Sequence, residues 1–75
     1  MRIEPFTMER DILNVGDVVS VTESRLPRAW YYTAEPAAAM SGNYAPSERI
    51  LSRQGVVRKK ELNGVIWTVY IEFDE

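Results

Sequence analysis

The strongest regularity along the chain is the alternation that closes it. Val65, Trp67, Val69, Ile71 and Phe73 fall on one side of an extended backbone, and Ile66, Thr68, Tyr70 and Glu72 fall on the other. Upstream, Gly55 to Leu62 forms a second extended stretch, and Asn63-Gly64 separates the two. Asn tolerates positive φ and Gly adopts it freely, so the pair predicts a type I′ turn and a β-hairpin. A two-residue turn there would set Leu62 against Val65, Lys60 against Trp67, Arg58 against Val69 and Val56 against Ile71. Lys60 and Arg58 would then lie on the apolar face. Either the hairpin tip projects beyond the core, with Lys60 covering the Trp67 ring, or a bulge near Arg58 turns the basic run outward. The projecting tip is the expectation.

A second strand is announced by Val15 to Glu23, where Gly16-Asp17 marks a turn and Val19 and Val21 alternate with Ser20 and Thr22. Before it, Ile3, Phe6, Met8, Ile12 and Leu13 gather around Pro5 without a clear period, which predicts an irregular N-terminal arm with at most a short edge strand. Residues 24 to 54 read as a long insertion. Within them Arg28 to Thr33 has strand composition between Pro27 and Pro36. Pro36 to Met40 predicts one helical turn ended by Ser41-Gly42, Gly42 to Ser47 a loop, and Ser47 to Ser52 a further helical turn or the approach to the hairpin.

Val15-Gly16-Asp17-Val18-Val19-Ser20-Val21, then Gly55-Val56-Val57 leading into Val65 to Phe73, resemble the strand signatures of Src-homology-3-like small barrels, including KOW-type domains of ribosomal and transcription proteins. In that pattern a Gly-Asp turn opens the first core strand, and a Gly-x-Val strand precedes an alternating one. The resemblance implies a mainly β chain: a small, partly open barrel of about five strands in a single domain, residues 1–75, with an irregular insertion at 24–54 and a C-terminal hairpin. Residues 22–54 stand where the KOW motif has a short loop. The chain also looks like a small bacterial or phage-type protein, a likeness that implies no activity.

Charge changes this picture more than composition does. The 75 residues carry a net charge of −2. Residues 1–24 hold two basic against five acidic residues, residues 25–60 seven against two, and residues 61–75 none against four. A basic middle lies between acidic ends, which fits either a nucleic-acid surface or acidic strands paired with a basic one. Met1 to Val15 is too charged for a secretory signal, and Val65 to Ile71 is too short to span a bilayer. A cytoplasmic protein without membrane contact is expected.

Catalytic chemistry has few candidates. There is no His and no Cys, so no ordinary base near neutrality, no thiolate and no usual zinc ligand set. The serines lack a dyad partner, Asp74-Glu75 reads as a solvated tail, Asp11, Asp17 and Glu23 lack calcium-loop spacing, and the glycines are isolated. Neither an enzyme nor a cofactor is expected. The best functional candidates are Arg25, Arg28, Trp30, Tyr31, Tyr32 and Tyr44, since arginine and aromatic side chains are enriched at protein interfaces. The competing reading places Trp30 and Tyr32 in the core. As an alternative, Arg53, Arg58, Lys59 and Lys60 would build a nucleic-acid face beside them. The expectation is a non-enzymatic module binding a protein or peptide. It would be a monomer or a dimer paired through the edge of the Arg28 to Thr33 strand.

Overall fold

The computed structural model describes residues 1–75. Six strands form: β1 (Arg2–Met8), β2 (Val18–Arg25), β3 (Trp30–Ala34), β4 (Ala39–Ser41), β5 (Gln54–Asn63) and β6 (Ile66–Phe73), with one 3-10 turn at Pro46–Glu48. They make a closed antiparallel barrel in the order β1-β4-β3-β2-β5-β6, with β6 returning to β1. The mainly β small barrel expected from the pattern is therefore present.

Every long strand contributes alternate residues to one interior. Phe6, Tyr32, Ile50, Val57, Val69, Ile71 and Phe73 are fully buried, and Val19 and Val21 on β2 join them as the alternation requires. The Phe6 and Phe73 rings lie 6.2 Å apart across β1 and β6. Each large side chain removed from water contributes about 1.5–3 kcal/mol, which is the main term holding so small a barrel together.

The N-terminal arm is not irregular. β1 pairs with β6 over all seven residues, from Arg2 opposite Phe73 to Met8 opposite Trp67. Its other neighbour, β4, meets only Phe6 and Thr7, so Pro5 lies where that side of the strand is open and its missing N–H is tolerated. The insertion at 24–54 likewise supplies β3 and β4. Pro36 to Met40 is not helical: Ala37 takes φ 58°, outside the right-handed region, and Ala39 and Met40 already belong to β4.

The hairpin forms one residue later than its Asn-Gly signal predicts. Asn63 pairs with Ile66, Leu62 with Trp67 and Lys60 with Val69, leaving Gly64 and Val65 as the turn. Gly64 alone has positive φ, 66°, as a turn of the II′ kind requires at its first central position. Val65, expected on the core face, is 84% exposed at the tip. Both anticipated fates of the basic run occur together. Lys60 Nζ lies 4.5 Å from the Trp67 ring centroid, and a bulge separates Val57 from Lys59. Without the bulge, the tip register would carry Arg58 opposite Ile71, inside the barrel. With it, Val57 faces Ile71, Val56 faces Glu72, and Arg58 is exposed beside Glu72.

Candidate functional site: an arginine and aromatic cluster at one end of the barrel

Arg25 and Trp30 are the last cross-strand pair of the β2–β3 hairpin, closed by the Leu26 N–H donating to the Ala29 carbonyl at 2.7 Å. Trp30 also exchanges two backbone hydrogen bonds with Tyr44, at 2.9 and 2.8 Å, which ties the segment after β4 to β3. Arg49, beyond the 3-10 turn, returns to this point and sets its guanidinium carbon 3.9 Å from the Trp30 ring centroid, while that of Arg25 lies 5.5 Å from it. Two cations therefore lie against one half-buried indole.

Glu23, two residues before Arg25, holds the arrangement in place. Its carboxylate accepts from the Tyr32 hydroxyl at 2.7 Å and from Arg49 Nη2 and Nε at 2.6 and 3.1 Å, and Arg53 Nη2 lies 3.3 Å away. The Tyr32 hydroxyl in turn accepts from the buried Ile50 N–H at 2.8 Å. Tyr44 packs edge-on against Tyr32 with ring centroids 5.8 Å apart and donates its hydroxyl to Glu4 at 2.8 Å. Arg2 completes the chain by donating to Glu4 at 2.9 Å, to the Arg49 carbonyl at 2.8 Å and to the Glu48 carbonyl.

This network shifts the titration of its members. The Arg49 hydrogen bond holds the Glu23 carboxyl below its ordinary range against the opposing effect of burial, with Tyr32 and the charges of Arg49 and Arg53 assisting. Burial raises the Tyr44 hydroxyl well above a free tyrosine, and its bond to Glu4 adds to that. Burial also raises Tyr32, ahead of its bond to Glu23. A carboxylate whose folded pKa is depressed contributes stability that is complete above its unfolded value and is lost as pH falls through the folded one. The thermal midpoint is thus expected to fall as acidification below the ordinary carboxylate range protonates Glu23, and Glu23→Gln protein is expected to show a shallower fall in a midpoint-against-pH series.

The anticipated contact residues separate into two groups. Tyr32 is fully buried, so it belongs to the core and presents nothing to a partner. Tyr44 is half-buried with its hydroxyl engaged by Glu4. Trp30 and Tyr31 are half-exposed, and Arg25 and Arg28 are exposed. Alternation along β3 directs Trp30 to the side of Tyr32 and Tyr31 to the opposite side. The strand offers no free edge for a dimer: β2 pairs along one side, and the other is taken by Tyr44, β4 and the Ser41 hydroxyl, which accepts the Tyr32 N–H at 2.8 Å.

Arg53, Arg58, Lys59 and Lys60 do not assemble into a free basic face. Arg53 joins Arg49 on Glu23, Arg58 pairs with Glu72 at 3.1 Å, Lys59 with Glu61 at 2.8 Å, and Lys60 with Asp11. The acidic ends of the chain neutralise its basic middle. Of the seven cations in residues 25–60, only Arg25 and Arg28 have no carboxylate within 4 Å.

One feature escaped the sequence pattern. An open groove of about 360 Å³ runs between Thr7–Ile12 and Pro36–Met40, with Met8 buried and Ile12 and Met40 exposed. It exists because β1 pairs with β4, a contact that neither segment's composition signals. No helix is long and apolar enough to cross a membrane. No family model matches the chain, and no curated protein or solved structure shows significant similarity to it.

Proposed function

We propose that this chain is a non-enzymatic interaction module that binds a protein or peptide at the Trp30 end of the barrel, through Trp30, Arg25 and Arg28 with Tyr31 at the margin. The observation that carries this reading is the selective freedom of Arg25 and Arg28: other cations of the basic middle are neutralised within the fold, and these two flank or precede a half-exposed indole. Trp and Arg are enriched among the few residues that carry most of the binding energy at protein interfaces. The closed antiparallel barrel is compatible with the Src-homology-3-like architecture that the strand signatures resemble.

A nucleic-acid role is less well supported. The two unpaired arginines at the Trp30 end would release about two counterions, so the logarithm of the affinity would change with that of salt by a slope near −2, too shallow for a phosphate-driven interface. Fluorescence anisotropy with single-stranded and duplex oligonucleotides is expected to show no binding at about 150 mM salt.

Selection of a phage-displayed random dodecapeptide library on the full chain tests the peptide reading. Binders are expected to lose about tenfold or more in affinity for Trp30→Ala protein. Because Trp30 also packs against Arg49, the bound peptide is followed independently by NMR, where the Trp30 indole N–H should shift and that of Trp67 should not. Binders indifferent to Trp30 on both measures, or no binders at all, would remove the proposal.

A further inference from the structure

We infer that the partner segment is an acidic peptide whose carboxylates dock on Arg25 and Arg28 while an adjoining apolar residue packs on Trp30; this rests on the peptide-binding reading above. The charge around the indole decides the sign. Arg25 is exposed, with its guanidinium carbon 5.5 Å from the Trp30 ring centroid, and Arg28 stands exposed in the turn that joins the two strands. Neither is met by a carboxylate of this chain within 4 Å.

A basic partner would find the carboxylate that anchors Arg49 beside the indole already engaged. Glu23 is the carboxylate of this cluster, its side chain is 10% exposed, and Tyr32, Arg49 and Arg53 already surround it. Glu48, the last residue of the 3-10 turn and the one before Arg49, is exposed, and one of its oxygens accepts the Ala45 N–H at 3.2 Å. An incoming lysine or arginine would instead meet Arg25, Arg28, Arg49 and Arg53. The net charge of −2 on the whole chain opposes an acidic segment at long range, so its attraction has to come from the local positive charge of this end.

The test repeats the dodecapeptide selection on the full chain and, in parallel, on Arg25→Gln/Arg28→Gln protein. Both positions are exposed, so the double variant should keep the thermal midpoint of the parent. On the parent, Asp and Glu together are expected to be about threefold over-represented among Trp30-dependent binders relative to the unselected library, the size one exposed arginine–carboxylate pair confers. On the double variant the enrichment should vanish. Trp30-dependent binders without acidic enrichment, or enriched in Lys and Arg, would overturn the acidic partner and leave the module reading standing. Acidic enrichment that persists on the double variant would overturn the assignment to Arg25 and Arg28. Recovery of no binder would remove both.

Discussion

Gly55→Val protein is expected not to fold, and Gly55→Ala protein to lose about 2–3 kcal/mol of stability. Gly55 lies on β5 between Val19 of β2 and Phe73 of β6, at the point where three strands close the barrel. A Cβ added there would stand 2.5 Å from Ile71 Cγ2, 2.9 Å from the Glu72 carbonyl oxygen and 3.0 Å from Phe73 Cε1. Two of these atoms belong to fully buried side chains and the third to the backbone of a strand hydrogen-bonded on both sides, so none can withdraw cheaply. A domain of this size has a total stability of about 4–11 kcal/mol, and valine adds two further methyl groups to the same clash. Urea denaturation of the alanine variant is the measurement: a lower midpoint with an unchanged slope is expected. Gly42→Ala is the matched control, because an added Cβ there meets nothing within 4 Å, and it should leave the midpoint near that of the parent. A Gly55→Ala midpoint equal to that of the control would contradict the close packing of β5 on β6.

Tyr32→Phe removes one oxygen and is expected to cost about 2–4 kcal/mol, more than a surface hydrogen bond could. The ring stays and its apolar contacts stay with it. What is lost is a hydroxyl that donates to Glu23 and accepts from Ile50 N–H at the same time. Ile50 is fully buried, so its N–H is left unsatisfied, and Glu23 loses one of the donors that stabilise its charge. The effect should be local as well as global. Amide hydrogen exchange at Ile50 is expected to accelerate more than exchange at Val69 or Ile71, because the hydroxyl is what accepts the Ile50 N–H and ties that residue to β3. An unchanged thermal midpoint with Ile50 still protected would show that the segment is held by something else. In a cycle with Glu23→Gln, the two substitutions should not add, since they remove parts of one network.

The elements legible in the sequence are those whose alternation is uninterrupted. Val19 and Val21 on β2, and Val69, Ile71 and Phe73 on β6, are buried as a period of two requires. β1 was hidden because its inward-facing series is Arg2, Glu4, Phe6 and Met8: two charged residues occupy core-side positions at the end of the barrel, where they bind Tyr44 and the Glu48 and Arg49 carbonyls instead of packing. Ala39 and Met40 carry no strand signal of their own and become β4 because β1 and β3 present edges on either side. The Asn-Gly pair correctly marked a hairpin, but the turn moved by one residue, since Gly64 alone satisfies the backbone and Leu62 then faces Trp67.

For the site, residue types by themselves determined that a basic, aromatic segment lies between acidic ends, and that catalysis by His or Cys has no residues to use. Which of those cations are free was decided only by the tertiary structure. Ion pairing depends on distances between side chains that are mostly far apart in the chain: Glu23 captures Arg49 and Arg53, Asp11 captures Lys60, Glu72 captures Arg58 and the nearby Glu61 captures Lys59, leaving Arg25 and Arg28. The division of the aromatics has the same origin. Closure of the barrel places Tyr32 at its centre and Trp30, two residues earlier on the same side of β3, at its rim, because one strand of five residues runs from the turn into the core.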